Sequence, residues 1–217
     1  MASPPAVVWR TVDENHIKDI YDSDQVMYPA PQLTYGRLKS WVDACPEICL
    51  CLQRGNLDTN THPAISPKDA ILGLVVVLPL RQPSWDRLLR GEIEEHDIDA
   101  AEMFPAPPNS EIPAYGEGSK IKVGLHVFHI ERFPEFASFY RGKSFTTLAL
   151  DEVRGRVMDT FQSWEVVGYS ALTASKQGNA AFKRLGFLPS NSSSRSTLLH
   201  QDAEMVERRG NGPFSGS

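Results

Sequence analysis

The sequence predicts an α/β fold, of the α+β kind, in which helices flank a mixed β-sheet. Short apolar segments typical of strands cluster in the middle of the chain, and segments with apolar residues at helical spacing lie around and between them. Clustered strands with interspersed helices are typical of a mixed sheet. The 217 residues are enough for one domain with a sizeable core, or for two very small ones. We expect one domain over residues 1–208 and a disordered tail over 209–217.

The predicted elements follow one another in a definite order. Strands are expected at 6–11, 47–54, 70–79, 121–130, 165–173 and 198–206. Helices are expected after Asp13 and at 35–44, 144–159 and 175–185. The side chains that these helices offer to the core are Ile17, Ile20, Val26, Leu38, Trp41, Val42, Phe145, Leu148, Val153 and Val157. Thr34 can cap the second helix, and Gly186 can end the last one because Gly relieves left-handed backbone strain.

Composition and charge argue against several classes of protein. The net charge of −5 disfavours a general nucleic-acid binder, although it leaves room for a local basic pocket. The longest apolar run, 70–80, is too short to span a bilayer. Residues 1–20 lack the apolar run of a secretory signal, so we expect a cytoplasmic protein with no nucleic-acid or membrane partner.

The three cysteines favour a structural role over a metal site. Cys45, Cys49 and Cys51 have C-x3-C-x-C spacing, and no second pair of ligands with zinc-like spacing follows. Cys49 and Cys51 alternate with apolar residues in a predicted strand, where buried thiols act as small apolar side chains. We therefore expect no metal, and an odd number of thiols fits a reducing compartment.

An acidic and proline-rich insertion at 81–119 separates the third and fourth predicted strands. Its acidic residues are Glu92, Glu94, Glu95, Asp97, Asp99 and Glu102, with no Lys or Arg among them. A connection of this length inside a compact domain is usually functional or disordered. Two interpretations remain open: a solvated insertion, or an acidic lid that attracts a cationic substrate.

The stretch 120–159 carries the main functional signal. A predicted strand leads through an aromatic-rich loop into a basic, Gly-containing turn at 140–146, and a helix follows. The first N–H groups of a helix have no partner inside it, and the helix dipole adds partial positive charge there. Such a turn suits a phosphate or pyrophosphate, as in a nucleotide-type cofactor.

The order of elements and the motifs resemble the GNAT superfamily of acyl-CoA-dependent N-acetyltransferases. The segment 125–130 followed by 141–146 is similar to the family's Arg/Gln-x-x-Gly-x-Gly/Ala motif, and 179–187 is similar to its Asn-x-x-Ala…Tyr-x-x-x-Gly-Phe helix. Tyr-Pro-Ala at 28–30 and Cys-Pro-Glu at 45–47 resemble the aralkylamine (serotonin-type) branch. The resemblance covers most of the chain, with 81–119 as an expansion, and implies a mostly antiparallel central sheet whose fourth and fifth strands splay apart.

The resemblance also implies a set of residues for acetyl-CoA. The expected cofactor-binding residues are Phe128, His129, Ile130, Arg141, Gly142, Lys143, Ser144, Phe145, Thr146, Asn179 and Phe182. Residues 141–146 would hold the phosphates, Asn179 would contact the pantetheine arm, and a backbone N–H within 128–130 would polarise the thioester carbonyl. Ser144 and Thr146 stand where the family prefers Gly or Ala. This departure implies a looser phosphate fit, although the Ser144 hydroxyl can cap the helix or meet a phosphate.

For catalysis, the resemblance points to His126 as the general base that deprotonates the amine, with Glu131 and His129 in reserve. His126, Phe128 and Ile130 share one face of the predicted strand, and His129 lies on the other. The family often uses a Tyr to protonate the leaving thiolate, and Phe182 occupies that position here. Tyr169 or water would replace it, and a CoA thiol can also leave as the anion.

The resulting prediction is an acetyl-CoA-dependent N-acetyltransferase. Its acceptor would be a primary amine, a small (aryl)alkylamine or polyamine, which attacks the thioester directly in a ternary complex. A protein or peptide lysine acetyltransferase, or a catalytically weak acyl-CoA-binding protein on the same fold, are the alternatives. The chain is expected to act as a monomer or homodimer.

Overall fold

A computed structural model describes residues 7–27, 33–55, 71–106, 120–140, 142–190 and 197–202. The helices are α1 Glu14–Met27, α2 Tyr35–Ala44, α3 Gln82–Leu89, α4 Ala100–Met103, α5 Glu135–Phe139, α6 Phe145–Thr160 and α7 Lys176–Arg184. The strands are β1 Val7–Thr11, β2 Cys49–Arg54, β3 Ile71–Arg81, β4 Ile121–Arg132, β5 Trp164–Thr173, β6 Leu188–Pro189 and β7 Thr197–Asp202. The predicted α/β class is confirmed. Short 3-10 turns at Pro46–Ile48 and Glu95–Asp97 complete the described elements.

The strands form one seven-stranded mixed sheet in the order β1-β2-β3-β4-β5-β7-β6. Strand β1 pairs with β2, and β2 with β3, in antiparallel fashion. Strand β7 pairs antiparallel with both β5 and β6, whereas β4 and β5 are parallel. The sheet is therefore mostly antiparallel, as the resemblance implies.

The parallel pairing of β4 and β5 stops before either strand ends. It runs from Ile121↔Trp164 to Val127↔Ala171, while β4 continues to Arg132 and β5 to Thr173. Strand β5 remains paired with β7 as far as its last residue. Within the described residues, the β4–β5 ladder thus ends at Val127, which is where the expected splay of the fourth and fifth strands would begin.

The chain divides into two compact units, and β3 and β4 contribute residues to both. The first unit comprises Met1–Val77 and His129–Thr160, and the second comprises Leu78–Phe128 and Phe161–Ser217. In the first unit, the Thr34 side chain caps α2 by accepting a hydrogen bond from the Arg37 N–H, as predicted.

Most of the predicted helical core residues are buried, with two exceptions. Val26 is 83% exposed, because α1 turns that position away from the core that Ile17 and Ile20 enter. Leu148 is only half-buried, because the buried face of α6 is formed by residues four positions apart: Phe145, Ala149, Val153 and Val157. Leu148 lies beside this stripe rather than on it.

The cysteines are free and buried, as the strand pattern predicts. Burial raises the pKa of the Cys49 thiol to about 12 and that of Cys51 to about 11. A thiol in such surroundings is not a ready nucleophile or metal ligand. Cys49 and Cys51 pack within β2, and the buried Cys45 follows the last residue of α2.

The described part of the insertion, 82–106, is folded. It forms α3, the 3-10 turn and α4, and its buried side chains include Trp85, Leu88, Ile93, Ile98 and Phe104. These apolar residues recur among the acidic ones, and burying them outweighs the cost of ordering the segment. Residues 82–106 are therefore anchored by their apolar side chains, while Glu92, Glu94, Asp97 and Glu102 remain exposed.

Several predictions fall on parts of the chain outside the described residues. These are the motif at 28–30, most of the 55–68 loop, Arg141, the insertion from 107 to 119, the turn at 191–196 and the tail after 202. Among the described helices, none combines the length and apolar character needed to cross a membrane.

Candidate active site

The second unit contains a buried chain of hydrogen bonds centred on His126. The imidazole is 0% exposed, and its two nitrogens have different partners. Nε2 lies 2.6 Å from Oε1 of Glu95, and Nδ1 lies 2.9 Å from the hydroxyl oxygen of Ser170. Trp85 donates its indole N–H to the same hydroxyl oxygen at 2.9 Å. The predicted base is thus held at both ends of its ring.

The partners determine which atoms carry the hydrogens when Glu95 is ionised. A carboxylate only accepts hydrogen bonds, so His126 presents Nε2–H to Glu95. In the neutral ring Nδ1 is then an acceptor, and Ser170 donates its O–H to it. The indole N–H of Trp85 can only donate and satisfies the Ser170 oxygen. Both ring nitrogens of His126, the Ser170 hydroxyl and the Trp85 indole N–H therefore have complementary partners.

The indole of Trp85 rests on a floor made by two glycines. Gly124 of β4 and Gly168 of β5 are register partners, and a Cβ at either position would lie within 2.1 Å or 2.6 Å, respectively, of an indole atom. Larger side chains would displace the ring, so the two glycines allow α3 to set the indole N–H against Ser170. The sequence places the sheet and α3 separately and does not reveal this contact.

Glu95 reaches His126 from a short, well-capped turn. It is the first residue of the 3-10 turn Glu95–Asp97, in which Glu94 and Asp97 form a reciprocal capping box. Ile98, directly after the turn, is fully buried and anchors it. The Glu95 side chain remains 17% exposed, so this carboxylate, unlike His126, has access to solvent.

The other predicted residues of the second unit lie around β5 and α7. Tyr169 is buried and precedes Ser170 on β5, so its side chain points to the sheet face opposite His126. Asn179 donates from its amide to the Thr173 hydroxyl at 3.2 Å. Phe182 is buried edge-to-face against Phe187, with ring centroids 4.9 Å apart. It offers packing and no proton.

The predicted phosphate turn lies in the first unit, at the start of α6. Ser144 accepts a hydrogen bond from the Thr147 N–H at 3.2 Å, which confirms it as the helix cap. The N–H groups of Phe145 and Thr146 belong to the first turn and have no acceptor within the helix. Lys143 is exposed and pairs with Asp151 at 2.6 Å, and this hydrogen bond raises the Lys143 pKa. Its charge is therefore retained at neutral pH.

Aromatic packing holds α5 and Tyr140, the residues that lead into this turn, in place. Phe136 of α5 stacks on Tyr140, and its ring meets Phe145 edge-on, with centroids 5.5 Å apart in both pairs. A Cβ at Gly142 would lie 2.7 Å from the Tyr140 ring, so a larger residue would require that ring to shift. A Cβ at Gly73 would likewise lie 2.3 Å from the Phe145 ring. Packing against Tyr140 therefore accounts for a glycine at position 142, independently of any bound phosphate.

The reserve pair, His129 and Glu131, also lies in the first unit. Their closest atoms, Nε2 and Oε2, are 3.4 Å apart, which is long for a hydrogen bond. The neighbouring imidazole nevertheless holds the pKa of the Glu131 carboxyl below its usual value. Within the part of the chain that the structure describes, His129 Nε2 has no hydrogen-bond partner.

The structure adds three residues that the sequence did not single out as site residues: Trp85, Glu95 and Ser170. Glu95 drew attention only as one of six acids in the insertion, and the order of the elements gave no reason to choose it. A Trp amid polar residues at the start of a helix was the one signal for α3 packing. The described residues contain no cluster of three or more His, Cys, Asp or Glu suited to a metal ion.

No family model and no curated protein matches the chain. Among solved structures it is similar to Arabidopsis thaliana Naa50 in complex with the bisubstrate analogue CoA-Ac-MVNAL, at 10% identity over 90% of this chain and 97% of that chain, with a TM-score of 0.47. It is similar to Arabidopsis thaliana NAA60 in complex with acetyl-CoA, at 11% identity over 92% and 99% of the two chains, with a TM-score of 0.49. It is also similar to an agmatine N-acetyltransferase, at 13% identity over 91% and 100%, with a TM-score of 0.48. Similarity at this level assigns no activity to the chain, so its function has to be argued from its own residues.

Proposed function

We propose that this chain is an acetyl-CoA-dependent N-acetyltransferase whose acceptor is a primary amine, a small (aryl)alkylamine or polyamine. The observation that carries the proposal is the His126–Glu95 pair. The resemblance implies a base at His126, and that side chain is hydrogen-bonded through Nε2 to a partly exposed carboxylate. A buried His hydrogen-bonded to a partly exposed carboxylate, beside the end of the β4–β5 ladder, is a typical arrangement for proton transfer.

The reaction needs a base because the acceptor is protonated at neutral pH. An alkylammonium has a pKa of about 10, close to that of Lys. Once deprotonated, its nitrogen attacks the thioester carbonyl, the C–N bond forms and the C–S bond breaks. The His126–Glu95 pair is the group proposed to accept the ammonium proton, with Glu131 and His129 as the second choice.

The start of α6 is proposed to hold the CoA phosphates. The first-turn N–H groups of Phe145 and Thr146 and the Lys143 ammonium supply positive potential there. Lys143 would exchange Asp151 for a phosphate, which costs little because both side chains are exposed. Arg141 and Gly142 would complete the turn, while a backbone N–H among Phe128, His129 and Ile130 would polarise the thioester carbonyl.

Release of CoA is proposed to need no side-chain acid. Phe182 has no proton to give, and Tyr169 faces the side of β5 away from Ser170. The CoA thiol, with a pKa of about 8.5 like that of Cys, can leave as the anion and take a proton from water. Asn179 remains the proposed contact to the pantetheine arm.

Phe182 also favours a second function, that of an acyl-CoA-binding protein with weak or no catalysis. The position where the family often has its thiolate-protonating Tyr is filled by Phe182 and packed against Phe187. In that case the chain would bind acetyl-CoA without transferring the acetyl group.

A peptide or protein lysine is an alternative acceptor for the enzyme. Three free thiols fit a cytoplasmic setting for either function.

The test combines calorimetric titration with acetyl-CoA and a thiol-release assay. The acceptors are a tryptamine-like amine, polyamines including agmatine, and a lysine peptide. We expect saturable binding and thiol release that depends on a small amine. Absence of acetyl-CoA binding would rule out both functions, whereas binding without release for any acceptor would favour the binding protein.

A further inference from the structure

We propose that Glu95 is the residue that takes the proton from the substrate ammonium, and that His126 acts behind it as a positioning residue. This inference rests on the proposed function and assigns separate roles to the two members of the His126–Glu95 pair. It also gives the acidic insertion a direct part in the reaction, because Glu95 belongs to that segment.

Access is the first reason. His126 is completely buried, so an amine cannot reach either ring nitrogen without displacing Glu95 or Ser170. The Glu95 side chain keeps 17% of its surface exposed and lies between the imidazole and solvent. Of the two members of the pair, only the carboxylate can meet a substrate in this arrangement.

Hydrogen-bond capacity is the second reason. With Glu95 ionised, Nε2 of His126 carries a hydrogen directed at Glu95, and Nδ1 accepts from Ser170. Neither nitrogen then has a lone pair available for an incoming proton. One oxygen of Glu95, Oε1, receives the imidazole hydrogen bond, while a carboxylate can accept at both of its oxygens. The second oxygen, Oε2, is the acceptor left for a substrate N–H.

Trp85, Ser170 and His126 support Glu95 through the same series of hydrogen bonds. Trp85 holds the Ser170 hydroxyl, Ser170 holds Nδ1, and the imidazole then presents a fixed N–H to Glu95. A carboxylate orientated in this way needs little rearrangement when the substrate arrives. Its negative charge also pairs with the ammonium, so the proposal favours acceptors that arrive as cations.

The proton balance closes without any further reagent. The ammonium gives one proton to Oε2 of Glu95, and the free amine attacks the acetyl carbonyl. The C–N bond forms, the C–S bond breaks, and the second nitrogen proton ends on the departing CoA thiolate, directly or through water. Glu95 returns its proton to solvent, and the net products are the amide, CoA thiol and one proton.

The central experiment compares Glu95→Gln with the wild-type chain by thiol release under saturating acetyl-CoA. The amide still accepts from His126 but cannot take up a proton, so we expect kcat/KM to fall at least ~100-fold, the usual contribution of a general base. Acetyl-CoA affinity, measured by calorimetry, should change less than about twofold, because proton acceptance plays no part in phosphate binding. Glu165→Gln, an exposed position on β5, is the matched control and should keep wild-type kinetics.

Two further variants separate proton transfer from charge and from structure. Glu102→Gln removes a charge from the same insertion and should cost no more than about threefold, since exposed charges are screened. Glu95→Ala should recover part of its rate when formate is added, because a small carboxylate can fill the vacated site. His126→Gln should lower kcat about tenfold by loosening Glu95, and formate should not restore it.

The outcomes distinguish this inference from the function on which it rests. No acetyl transfer by the wild-type chain removes the proposed function and this role together. If transfer occurs and Glu95→Gln stays within about threefold of wild type, or if Glu102→Gln loses as much as Glu95→Gln, Glu95 is not the proton acceptor. Formate rescue of Glu95→Ala with intact acetyl-CoA binding supports the role, and the absence of any rescue overturns it.

Discussion

Two histidines of strand β4, His126 and His129, each pair with a glutamate, and the two pairs differ in almost every respect. His126 and Glu95 are 31 residues apart in sequence and meet at 2.6 Å, with the imidazole buried and its second nitrogen occupied. His129 and Glu131 are neighbours on one strand face, meet at 3.4 Å, and the carboxylate is 40% exposed. The first pair is assembled by tertiary structure, and the second is a consequence of strand geometry.

Proximity in sequence is therefore a poor guide to how strongly a His and a Glu side chain interact. A partly exposed ion pair contributes little to the free energy of unfolding, because solvent screens it, however close its residues are in sequence. A buried pair depends on every group that surrounds it, because losing one partner leaves a polar group unsatisfied. The His126 pair should therefore respond strongly to changes in its support, and the His129 pair should barely respond.

The largest effect is expected from Trp85→Ala. It removes a buried indole from above Gly124 and Gly168 and should lower the free energy of unfolding by about 3–5 kcal/mol. Trp85→Phe keeps most of the packing but loses the N–H to Ser170, and should cost about 1 kcal/mol. Urea denaturation measures both. Equal losses in the two variants would show that the hydrogen bond, rather than the ring, dominates.

A smaller effect is expected from Gly168→Ala. The new methyl group would lie 2.6 Å from the Trp85 ring and 2.7 Å from the backbone oxygen of Gln201. Because backbone cannot move aside cheaply, we expect a destabilisation of about 1–3 kcal/mol. The ring should shift as well, and with it the hydrogen bond to Ser170.

Gly155→Ala provides the matched control for this substitution. Gly155 lies inside α6, and a Cβ there would meet nothing within 4 Å. Ala in a helix interior should stabilise the chain by roughly 0.5–1 kcal/mol, the usual penalty of Gly. Opposite signs for the two Gly→Ala changes, measured by urea denaturation, would establish that the glycine floor under Trp85 is specific. The same sign for both would remove that conclusion.

The sequence predicted what depends on local pattern and missed what depends on distant contacts. The strand and helix periodicities, the Thr34 and Ser144 caps and the Gly186 stop, with its φ of 89°, are local, and the structure has all of them. His126 was singled out through its strand position, which the resemblance supplied.

Glu95 could not be singled out, because nothing in its neighbourhood distinguishes it from Glu94 or Glu92. Its partner lies 31 residues away, and the turn that aims it depends on burial of Ile98 and on Trp85 packing over two glycines. The short helix α5 was missed for a related reason. Its five residues are too few for a helical period, and packing of Phe136 against Tyr140 and Phe145 holds it in place.

The smallest effect is expected at the local pair, and it depends on pH. The imidazole of His129 lowers the pKa of Glu131 in the folded chain relative to its ordinary value of 4.5, so the pair stabilises the fold above that value. The contribution is lost as the pH falls through the lowered pKa of the folded state. Because the carboxylate is 40% exposed, solvent screening limits the contribution to at most about 0.5 kcal/mol.

A double-mutant cycle of His129→Gln and Glu131→Gln, followed by urea denaturation, measures this coupling. We expect a coupling of no more than about 0.5 kcal/mol near pH 6 that declines as the pH falls through the lowered pKa of the folded Glu131 carboxyl. A coupling above about 1.5 kcal/mol, or one that grows as the pH falls, would place this pair beside His126–Glu95 as a tertiary site. Without either result, strand neighbours alone account for the contact between His129 and Glu131, and the shift in the Glu131 pKa needs no functional explanation.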